Sequence, residues 1–368
     1  MFIEFHMIQN FAPSNLNRDD TNNPKDCEFG GVRRARISSQ CIKRAIRQEK
    51  IFSQTTEVPM GQRSRWLARD IKTRLMEAGK SEEEAAQAAI AFFEKLLGGM
   101  GKKENDKERS AVIFFISEEE KKRISEALLA DWENALKGNL ESTIKEYQKQ
   151  FKERNSAPDI ALFGRMLAED PSLNLDAACQ VAHAISTHRV NMDIDFFTAV
   201  DDLQESDETG ASMMGVTGFN SACFYRYMRI DWEQLLKNLG GDRDLSKKTV
   251  EGFMRAALSA VPSGKQNSFA AQNPPSFLLA VTRKDGMSWS LANAFEKPAS
   301  AGYERSLVED SILKADAYWG KLKSFYGGDA EASAALLIDG LELANLKDAL
   351  ADNAEAWIKS VLKNLPDQ

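Results

Sequence analysis

The segment EFGGVRRARISSQCIKRAIR, residues 28–47, combines a double glycine, a run of arginines and a basic helix. Seven Lys or Arg residues lie within residues 32–50, against the single acid Glu49, although the whole chain carries a net charge of −7. A dense positive block in an acidic protein is typical of a surface that binds phosphate groups. We therefore expect nucleic acid, ahead of a small metabolite, as the first partner to consider.

A helix is predicted from Ser38 or Ser39, which supplies the N-cap, to about Gln48. Its apolar positions fall on one stripe and its basic positions on the opposite face. The stripe consists of Cys41, Ile42, Ala45 and Ile46, and the basic face of Lys43, Arg44, Arg47 and Lys50. The charge is therefore expected on a surface that is anchored to the core.

The composition of the 368-residue chain is ordinary for a folded soluble protein, with 43% hydrophobic and 28% charged residues. The sequence contains no apolar stretch long enough to span a membrane, and MFIEFHMIQ at the start does not have the pattern of a secretory signal. Four scattered cysteines indicate reduced thiols, and they form no metal-ligand spacing with the three histidines. We therefore expect a cytoplasmic protein with no metal, no cofactor and no membrane partner.

Periodicity predicts a mixture of strands and helices. A strand over 2–9 is followed by a long loop over 10–37 and then by the basic helix. Residues 60–160 are predicted to be mostly helical, with one short strand at 111–117. The predicted helices of this block are 62–78, 82–97, 118–137 (with a capping box of Ser117 and Glu120) and 141–153.

Strand-like segments return after the helical block. They are 159–167, 178–190, 221–230 and 276–283, with a helix at about 246–261 and a helical stretch over 303–363. The turn at 284–286 predicts a hairpin from the last strand into 287–295. Without the helical block the order is β-α-β-β-α-β, the ferredoxin-like order of RNA-recognition-motif folds. The predicted fold class is therefore α+β.

The segment 191–220 contains seven acids and no Lys or Arg, so phosphate groups would repel it. It is nevertheless predicted to form a protruding β-hairpin with the apolar residues Phe196, Phe197, Val200, Met213 and Met214. An apolar projection can approach nucleic acid by wedging between bases, because stacking requires no positive charge. In the alternative interpretation, Phe196 and Phe197 pack against the main sheet.

Six motifs resemble the CasC family, the guide-RNA-binding backbone subunits of type I-E CRISPR Cascade complexes. They are LNRDD (16–20), FGGVRRARISSQCIKRA (29–45), FGRM (163–166), AHAISTHRVNMDIDFFTAVDDLQ (182–204), YRYMRI (225–230) and LANAFEK (291–297). The helical block matches the family only in size and position. Several separate motifs in the family's order make the resemblance more specific than a single glycine pattern.

The resemblance implies an RNA-recognition-motif palm, a helical fingers insertion and a β-hairpin thumb. The palm would comprise 1–59, 161–190 and 221–368 with the C-terminal helices, the fingers 60–160 and the thumb 191–220. Family members polymerise along the CRISPR RNA (crRNA) as a helical filament, and each thumb flips out one base. The implied partners are the crRNA, target DNA, further copies of the chain, and Cascade subunits of the CasA, CasB, CasD and CasE types.

The resemblance also assigns RNA contacts to individual positions. The backbone-binding group is Arg18, Arg33, Arg34, Arg36, Ser38, Ser39, Gln40, Lys43, Arg44 and Arg47. Arg165 and Met166 are also assigned as RNA contacts, and Met166 resembles a residue that interrupts base stacking. The remaining positions are Phe196, Phe197 and Thr198 at the thumb, and Lys265 and Gln266 in a second loop. Val32 departs from the family, whose members often carry Lys there.

Other interpretations remain open for several of these residues. The arginines at 33–36 could pair with early-loop aspartates instead of RNA, and Met166 could be part of the core. The helical block carries basic residues that could follow target DNA or form a solvated helix face. They are Lys121, Lys122, Arg123, Lys145, Lys149, Lys152 and Arg154.

The favoured prediction is a non-catalytic RNA-binding scaffold, in which phosphate contacts supply affinity and guide pairing supplies specificity. An alternative is a metal-dependent ribonuclease that uses the early-loop residues Asp19, Asp20 or Asp26. A metabolic enzyme has less support, because the sequence has no P-loop, dinucleotide fingerprint or nucleophile elbow.

Overall fold

The computed structural model describes residues 1–100, 107–153, 157–199, 213–284, 286–327, 329–338 and 340–366. Its strands are β1 (Phe2–Ser14), β2 (Asp26–Phe29), β3 (Val32–Ile37), β4 (Gln62–Ser64), β5 (Phe114–Ile116), β6 (Cys179–Val181), β7 (Ala184–Ser186), β8 (Asp193–Ala199), β9 (Met213–Asp231), β10 (Phe277–Arg283) and β11 (Ala330–Leu336). Its helices are α1 (Ser39–Gln48), α2 (Lys50–Thr56), α3 (Leu67–Glu77), α4 (Glu82–Leu97), α5 (Glu118–Ala130), α6 (Trp132–Lys137), α7 (Glu141–Glu153), α8 (Pro158–Phe163), α9 (Trp232–Asn238), α10 (Arg243–Ser259), α11 (Gln266–Phe269), α12 (Leu307–Tyr326) and α13 (Ala354–Lys363).

The chain divides into two compact units. The sheet unit consists of Met1–Phe52, Val181–Arg229 and Phe253–Gln368. The helical unit consists of Ser53–Gln180 and Ile230–Gly252. The predicted mixture of a sheet and helices is therefore confirmed.

The sheet unit is built around a large sheet with the strand order β11-β10-β1-β9-β7-β3-β2. β1 pairs antiparallel with β10, placing Phe5 opposite Ala280 and His6 opposite Leu279. β8 pairs with β9 outside this order and forms a separate antiparallel hairpin with the first part of β9. The strand predicted at 2–9 is correct, but β1 continues to Ser14.

Both faces of β1 are buried in the middle of the strand. On one face, the Phe5 ring lies 5.7 Å from that of Phe253 in α10 and 6.3 Å from that of Trp357 in α13. On the other face, His6 Nδ1 lies 2.8 Å from the Tyr225 hydroxyl, and burial lowers the pKa of His6 to about 3. The helices α10 and α13 therefore pack on one side of β1, and on the other side the core accepts the neutral form of His6.

Residues 26–37 correct the loop predicted over 10–37, because they form the β2–β3 hairpin. Its two-residue turn is Gly30-Gly31, with φ values of 61° and 71°. A turn with two positive φ angles matches the twist of flanking strands, and glycine adopts it without steric strain. A Cβ on Gly30 would also lie 2.0 Å from the Glu296 carbonyl oxygen. The double glycine is therefore a hairpin signal.

The helical unit has its own core. Leu67, Ile71 and Leu75 of α3 are buried together with Phe92 and Phe93 of α4. The capping box predicted for α5 is confirmed, since the Ser117 hydroxyl accepts from Glu120 N and the Glu120 carboxylate accepts from Ser117 N. The first helix of the block begins at Leu67, later than predicted, because Gln62–Ser64 pair with β5.

Three further predictions of local structure are wrong. The strand at 159–167 is in fact the helix α8, which starts with Pro158 at its first position and ends at Gly164 with a φ of 73°. β10 pairs with β11 and forms no hairpin with 287–295. β11 lies in an alanine-rich stretch that was predicted to be helical, and its place beside β10 outweighs the helical preference of alanine.

Candidate nucleic-acid interface

An open groove of about 660 Å³ lies on the sheet unit in front of α1. It is lined by Leu16, Asn17, Arg18, Asp19, Asp20, Asn22, Ser38, Gln40, Cys41, Arg44, Ser263 and Gly264. The early loop, the start of α1 and the loop after α10 therefore meet at one surface. Four of the predicted RNA contacts, Arg18, Ser38, Gln40 and Arg44, line it.

The early loop is held in shape by its own polar side chains. Arg18 Nη1 donates to Asn22 Oδ1 at 2.9 Å. The Asp19 carboxylate accepts from the Thr21 hydroxyl at 2.8 Å and from the backbone N–H groups of Thr21 and Asn23, each at 2.9 Å. The bond from the Thr21 hydroxyl is the main cause of a lowered pKa of Asp19. Asp19 thus organises the turn that carries Arg18.

The loop after α10 approaches the early loop closely. A Cβ on Gly264 would lie 2.3 Å from the Leu16 carbonyl oxygen, so a larger residue does not fit without a backbone shift. Lys265 follows in the left-handed conformation, with a φ of 51°. The Gln266 side chain donates to the Pro262 carbonyl at 2.9 Å. The structure therefore places the predicted Lys265 and Gln266 directly after a groove-lining residue.

The N-terminus of α1 presents polar groups to the same groove. The Ser38 hydroxyl accepts from Cys41 N at 3.4 Å, which confirms the predicted N-cap. Ser39 is half-buried and Gln40 is exposed in the first turn. The N–H groups at the start of a helix favour anions, since the helix dipole is positive there. The geometry suits a phosphate next to Ser39 and Gln40.

The predicted two-faced character of α1 is also observed. Ile42, Ala45 and Ile46 are buried. Arg44 is exposed and donates to Gln48 Oε1 at 2.7 Å. Lys43 and Arg47 are half-buried on the basic side. The buried face anchors α1 to the core, so the cations on its opposite face are held in fixed positions.

Two arginines of β3, Arg33 and Arg36, are at least partly exposed, and both already have bonding partners within the protein. The Arg33 side chain is 71% exposed and forms an ion pair with Asp26 at 2.6 Å. Arg36 donates to the Asp26 carbonyl at 3.1 Å and lies 3.0 Å from His183 Nδ1. The alternative of pairing with an early-loop aspartate is therefore observed for Arg33. An exposed ion pair of this kind contributes little stability, so a phosphate can compete for the guanidinium.

Arg34 corrects the predicted RNA-contact set. Its side chain is fully buried, and its guanidinium donates to four backbone carbonyls. The acceptors are Phe29 at 3.1 Å, Ser186 at 3.2 Å, Phe295 at 2.7 Å and Glu296 at 3.3 Å. Because these bonds occupy the guanidinium fork, Arg34 joins β3 to the 295–296 segment and is not available to a phosphate in this structure.

Arg165 and Met166 have opposite environments in the helical unit. Arg165 is buried, pairs with Glu120 at 2.9 Å and donates to the Phe115 and Leu173 carbonyls at 2.8 Å and 3.0 Å. Met166 is 87% exposed, so the interpretation as core filler is wrong. The predicted RNA contact of Arg165 is therefore corrected, because its guanidinium is buried and bonded within the fold, whereas Met166 is accessible to a partner.

A second groove, of about 520 Å³, has Arg33 in its lining. Its lining combines residues of the β2–β3 hairpin with residues at the base of the β8–β9 hairpin. The latter include Met192 and Asn220, and the exposed Arg189 adds a cation that the sequence prediction omitted. The sequence could have identified Arg189, because it lies in the motif AHAISTHRVNMDIDFFTAVDDLQ (182–204), just before the acidic segment 191–220.

The β8–β9 hairpin separates the two predicted thumb phenylalanines. Phe196 pairs with Val216 and Phe197 with Gly215, so successive residues point to opposite faces. The Phe197 ring lies across Gly215, where a Cβ would be only 2.3 Å from the ring Cζ. Val200 and Gly210 of the predicted thumb lie outside the described residues, as does the rest of 200–212.

The Phe196 face of this hairpin is apolar and exposed. Its exposed fractions are 66% for Ile194, 61% for Phe196, 67% for Met214 and 60% for Val216. Thr198, which pairs with Met214, belongs to the same face and is exposed as well. The alternative in which Phe196 and Phe197 pack against the main sheet is therefore wrong for Phe196, and Phe197 is 42% exposed with its ring against Gly215 of its own hairpin.

The early-loop aspartates of the nuclease alternative are not gathered into a metal site. Within the described part of the chain, no three His, Cys, Asp or Glu side chains form a group that could hold a metal ion. Asp26 is paired with Arg33, and Asp19 is bonded within its own turn.

Among the described helices, none is long and apolar enough to cross a membrane.

The sheet, the two grooves with arginines in their lining and the exposed apolar hairpin define an α+β protein with a surface suited to nucleic acid. The sequence matches the family of CT1975-like proteins over residues 3–364, and the chain belongs to that family. It is similar to a chain in a structure described as a "CRISPR RNA-guided surveillance complex, pre-nicking", with 30% identity, 99% of each chain covered and a TM-score of 0.87. A chain of another "CRISPR RNA-guided surveillance complex" has 26% identity, 99% coverage of both chains and a TM-score of 0.64. No curated protein matches the chain.

Proposed function

We propose that this protein is a crRNA-binding backbone subunit of a type I-E Cascade complex, corresponding to the CasC family. One observation carries the proposal: a single groove is lined both by Arg33 and by Met192 at the base of the apolar hairpin. A phosphate-binding element and a base-wedging element thus adjoin each other. The similarity to subunits of RNA-guided surveillance complexes supports the same role.

The strand order supports an RNA-recognition-motif palm. The four strands of the β-α-β-β-α-β series are β1, β7, β9 and β10, and they lie in the sheet in the order β10-β1-β9-β7. Each β-α-β unit is therefore split by a strand of the other unit, which is the ferredoxin-like arrangement. In this proposal the sheet unit is the palm, the helical unit supplies the fingers, and the β8–β9 hairpin is the thumb.

In the proposed mechanism, one group of residues supplies the affinity for the RNA backbone, and the apolar hairpin sets where bases are parted. Arg18, Arg44 and the N-terminus of α1 hold the phosphate backbone, and Arg33 exchanges Asp26 for phosphate. The Phe196 face then wedges between bases, because stacking works for any base. No base-reading contact is required, since the guide supplies specificity by pairing with target DNA.

The exposed Phe196 face also supports assembly with further copies. Four large apolar side chains on one hairpin face would be shielded from water if a base or a neighbouring subunit covered them. We therefore propose a helical filament along the crRNA, joined by subunits of the CasA, CasB, CasD and CasE types. The role is that of a non-catalytic scaffold in the cytoplasm.

Co-expression with a CRISPR array tests the proposal. We expect uniform repeat-spacer RNA to co-purify with the protein and to be identified by sequencing. Random cellular RNA, or a preparation free of nucleic acid at low salt, would contradict it.

A cleavage assay tests the non-catalytic part. Wild-type protein and the triple variant Asp19→Ala, Asp20→Ala, Asp26→Ala are incubated with RNA and Mg²⁺. We expect intact RNA with both. Cleavage by the wild type that disappears in the variant would establish the ribonuclease alternative.

A further inference from the structure

A buried amide lies between two elements that have different roles in the proposed function, the groove in front of α1 and the β8–β9 hairpin. Asn15, directly after β1, is fully buried. Its Nδ2 donates to the Gly218 carbonyl of β9 at 2.8 Å and to the Asn22 carbonyl of the early loop at 3.0 Å. One side chain therefore bonds the hairpin and the early loop at the same time.

On the early-loop side, this connection continues to a predicted RNA contact. The Asn22 side chain accepts from Arg18 Nη1 through Oδ1 at 2.9 Å. The backbone of Asn22 is in the left-handed conformation, with a φ of 71°, which asparagine adopts more readily than most residues. Arg18 lines the groove. Asn22 thus joins Asn15 to a groove-lining cation in one step.

On the hairpin side, the connection reaches the strand that carries the apolar face. Gly218 is buried, two residues after Val216, the partner of Phe196 in the strand pairing. A Cβ on Gly218 would lie 2.4 Å from Asn23 Oδ1 and 3.0 Å from Met192 Sδ. The early loop therefore lies directly against the base of the hairpin, and a residue without a side chain allows this contact.

The loop after α10 meets the same position. A Cβ on Gly264 would lie 2.6 Å from the Asn15 carbonyl oxygen. At the end of α11, the Phe269 ring lies 5.7 Å from the ring of Phe219, the residue after Gly218. The early loop, the hairpin base and the loop after α10 thus converge around Asn15.

A second buried asparagine makes the same bonds elsewhere. Asn238 of α9, in the helical unit, donates through Nδ2 to the Ala161 and Asp176 carbonyls, each at 2.8 Å. Its Oδ1 accepts from Gln234 at 2.8 Å, whereas no group among the described residues donates to Asn15 Oδ1. Both amides bridge two carbonyls, but only that of Asn15 joins segments of the proposed RNA surface.

We propose that Asn15 is a positioning residue, whose amide sets the direction of the β8–β9 hairpin relative to the groove in front of α1. A two-stranded hairpin is marginally stable on its own, so contacts at its base decide where it points. Hydrogen bonds are directional, and a buried polar side chain selects one arrangement among several that apolar packing allows. The inference rests on the proposed function, because it assumes that hairpin and groove act on one RNA.

A double-mutant cycle on RNA binding tests the inference. Asn15→Ala removes the two bonds at the junction, and the control Asn238→Ala removes the matching two bonds in the helical unit. Phe196→Ala is then added to each variant and to the wild type. Fluorescence anisotropy measures the affinity for a labelled RNA with the repeat-spacer sequence recovered by co-expression, and thermal unfolding is recorded for every variant.

We expect Phe196→Ala to weaken binding on the order of tenfold in the wild-type and Asn238→Ala backgrounds. In the Asn15→Ala background its effect should fall below about twofold, because a hairpin that points elsewhere no longer brings the ring to the bases. Arg44→Gln is a second probe, on the anchored helix α1. It should reduce the salt slope of binding by about 0.7 in all three backgrounds, the value for one phosphate contact.

Gly218→Ala changes the same junction from the hairpin side and leaves the amide in place. Its Cβ would push against Asn23 Oδ1. We expect it to suppress the effect of Phe196→Ala in the same way, so it decides the matter if Asn15→Ala does not fold.

A Phe196→Ala effect on the order of tenfold in the Asn15→Ala background, or in Gly218→Ala where only that variant folds, would overturn the inference. Equal suppression by Asn15→Ala and Asn238→Ala would also overturn it, because general loosening of the fold would then account for the result. Failure of the proposed function has a different signature, since the wild-type protein itself would not bind the repeat-spacer RNA.

Discussion

The two hairpins of the sheet unit, β2–β3 and β8–β9, use the same strand geometry with different chemistry. Each places two residues of one kind side by side, Arg33 with Arg34 and Phe196 with Phe197. Arg33 is exposed while Arg34 bonds four carbonyls inside the protein. Phe196 is 61% exposed, whereas Phe197 is 42% exposed and its ring lies across Gly215. In both hairpins, alternation along the strand directs the two residues to opposite faces, but it buries Arg34 fully and leaves Phe197 partly exposed against its own hairpin.

The arginine pair of the β2–β3 hairpin predicts the largest difference. Arg34→Met leaves buried carbonyls without their donor, and we expect the free energy of unfolding to fall by about 3 kcal/mol or more. Arg33→Met removes only an exposed ion pair, so its effect should stay within about 0.5 kcal/mol. Chemical denaturation of both variants measures the two values.

Equal destabilisation by the two substitutions would break the comparison, because it would mean that exposure does not separate their roles. Methionine is used at both positions so that size and the loss of charge are matched.

The phenylalanine pair predicts a difference in function at nearly constant stability. Phe196→Ala removes the exposed ring, and we expect RNA binding by the assembled protein to weaken on the order of tenfold, the value of one stacking contact. Phe197→Ala should weaken binding less, since its ring lies over its own hairpin. Fluorescence anisotropy with a labelled guide RNA compares them, and a larger loss for Phe197→Ala would reverse the assignment.

A substitution at Gly215 tests whether the contact between Gly215 and the Phe197 ring influences RNA binding. Gly215→Ala places a Cβ 2.3 Å from the present position of the Phe197 Cζ, so the exposed ring must swing away. We expect a coupling of about 1 kcal/mol between Gly215→Ala and Phe197→Ala in a double-mutant cycle on RNA binding. Additive effects of the two substitutions would show that the ring and the glycine act independently.

The sequence predicted much of this molecule because its strongest signals are local. The capped, two-faced helix α1 and the capping box of α5 depend on neighbouring residues, and both are observed. The acidic, apolar segment around Phe196 also indicated a projection, and its described part is an exposed hairpin.

The errors arose where distant parts of the chain decide the outcome. The place of β11 depends on pairing with β10, and the burial of Arg34 depends on the carbonyls of Phe295 and Glu296. Residue type identified Arg34 as a cation, but only the register of β3 shows which way it points. Likewise, the contact of the Arg109 guanidinium with the Trp66 ring, at 5.7 Å from the centroid, joins segments that are distant in the sequence, and no local pattern predicts it.

The smallest expected effect concerns the ion pair between Arg33 and Asp26. If phosphate competes with Asp26 for the guanidinium, Asp26→Asn should strengthen RNA binding by about two- to threefold, because Arg33 then gives up no carboxylate partner. Arg33→Gln should reduce the salt slope of binding by about 0.7, the value for one phosphate contact on a single strand. In the Arg33→Gln background, Asp26→Asn should add no more than the removal of one distant negative charge. A gain of the same size with and without Arg33 would show that Asp26 acts only through its charge, and Arg33 would then lose its assignment as the exposed, RNA-facing member of its pair.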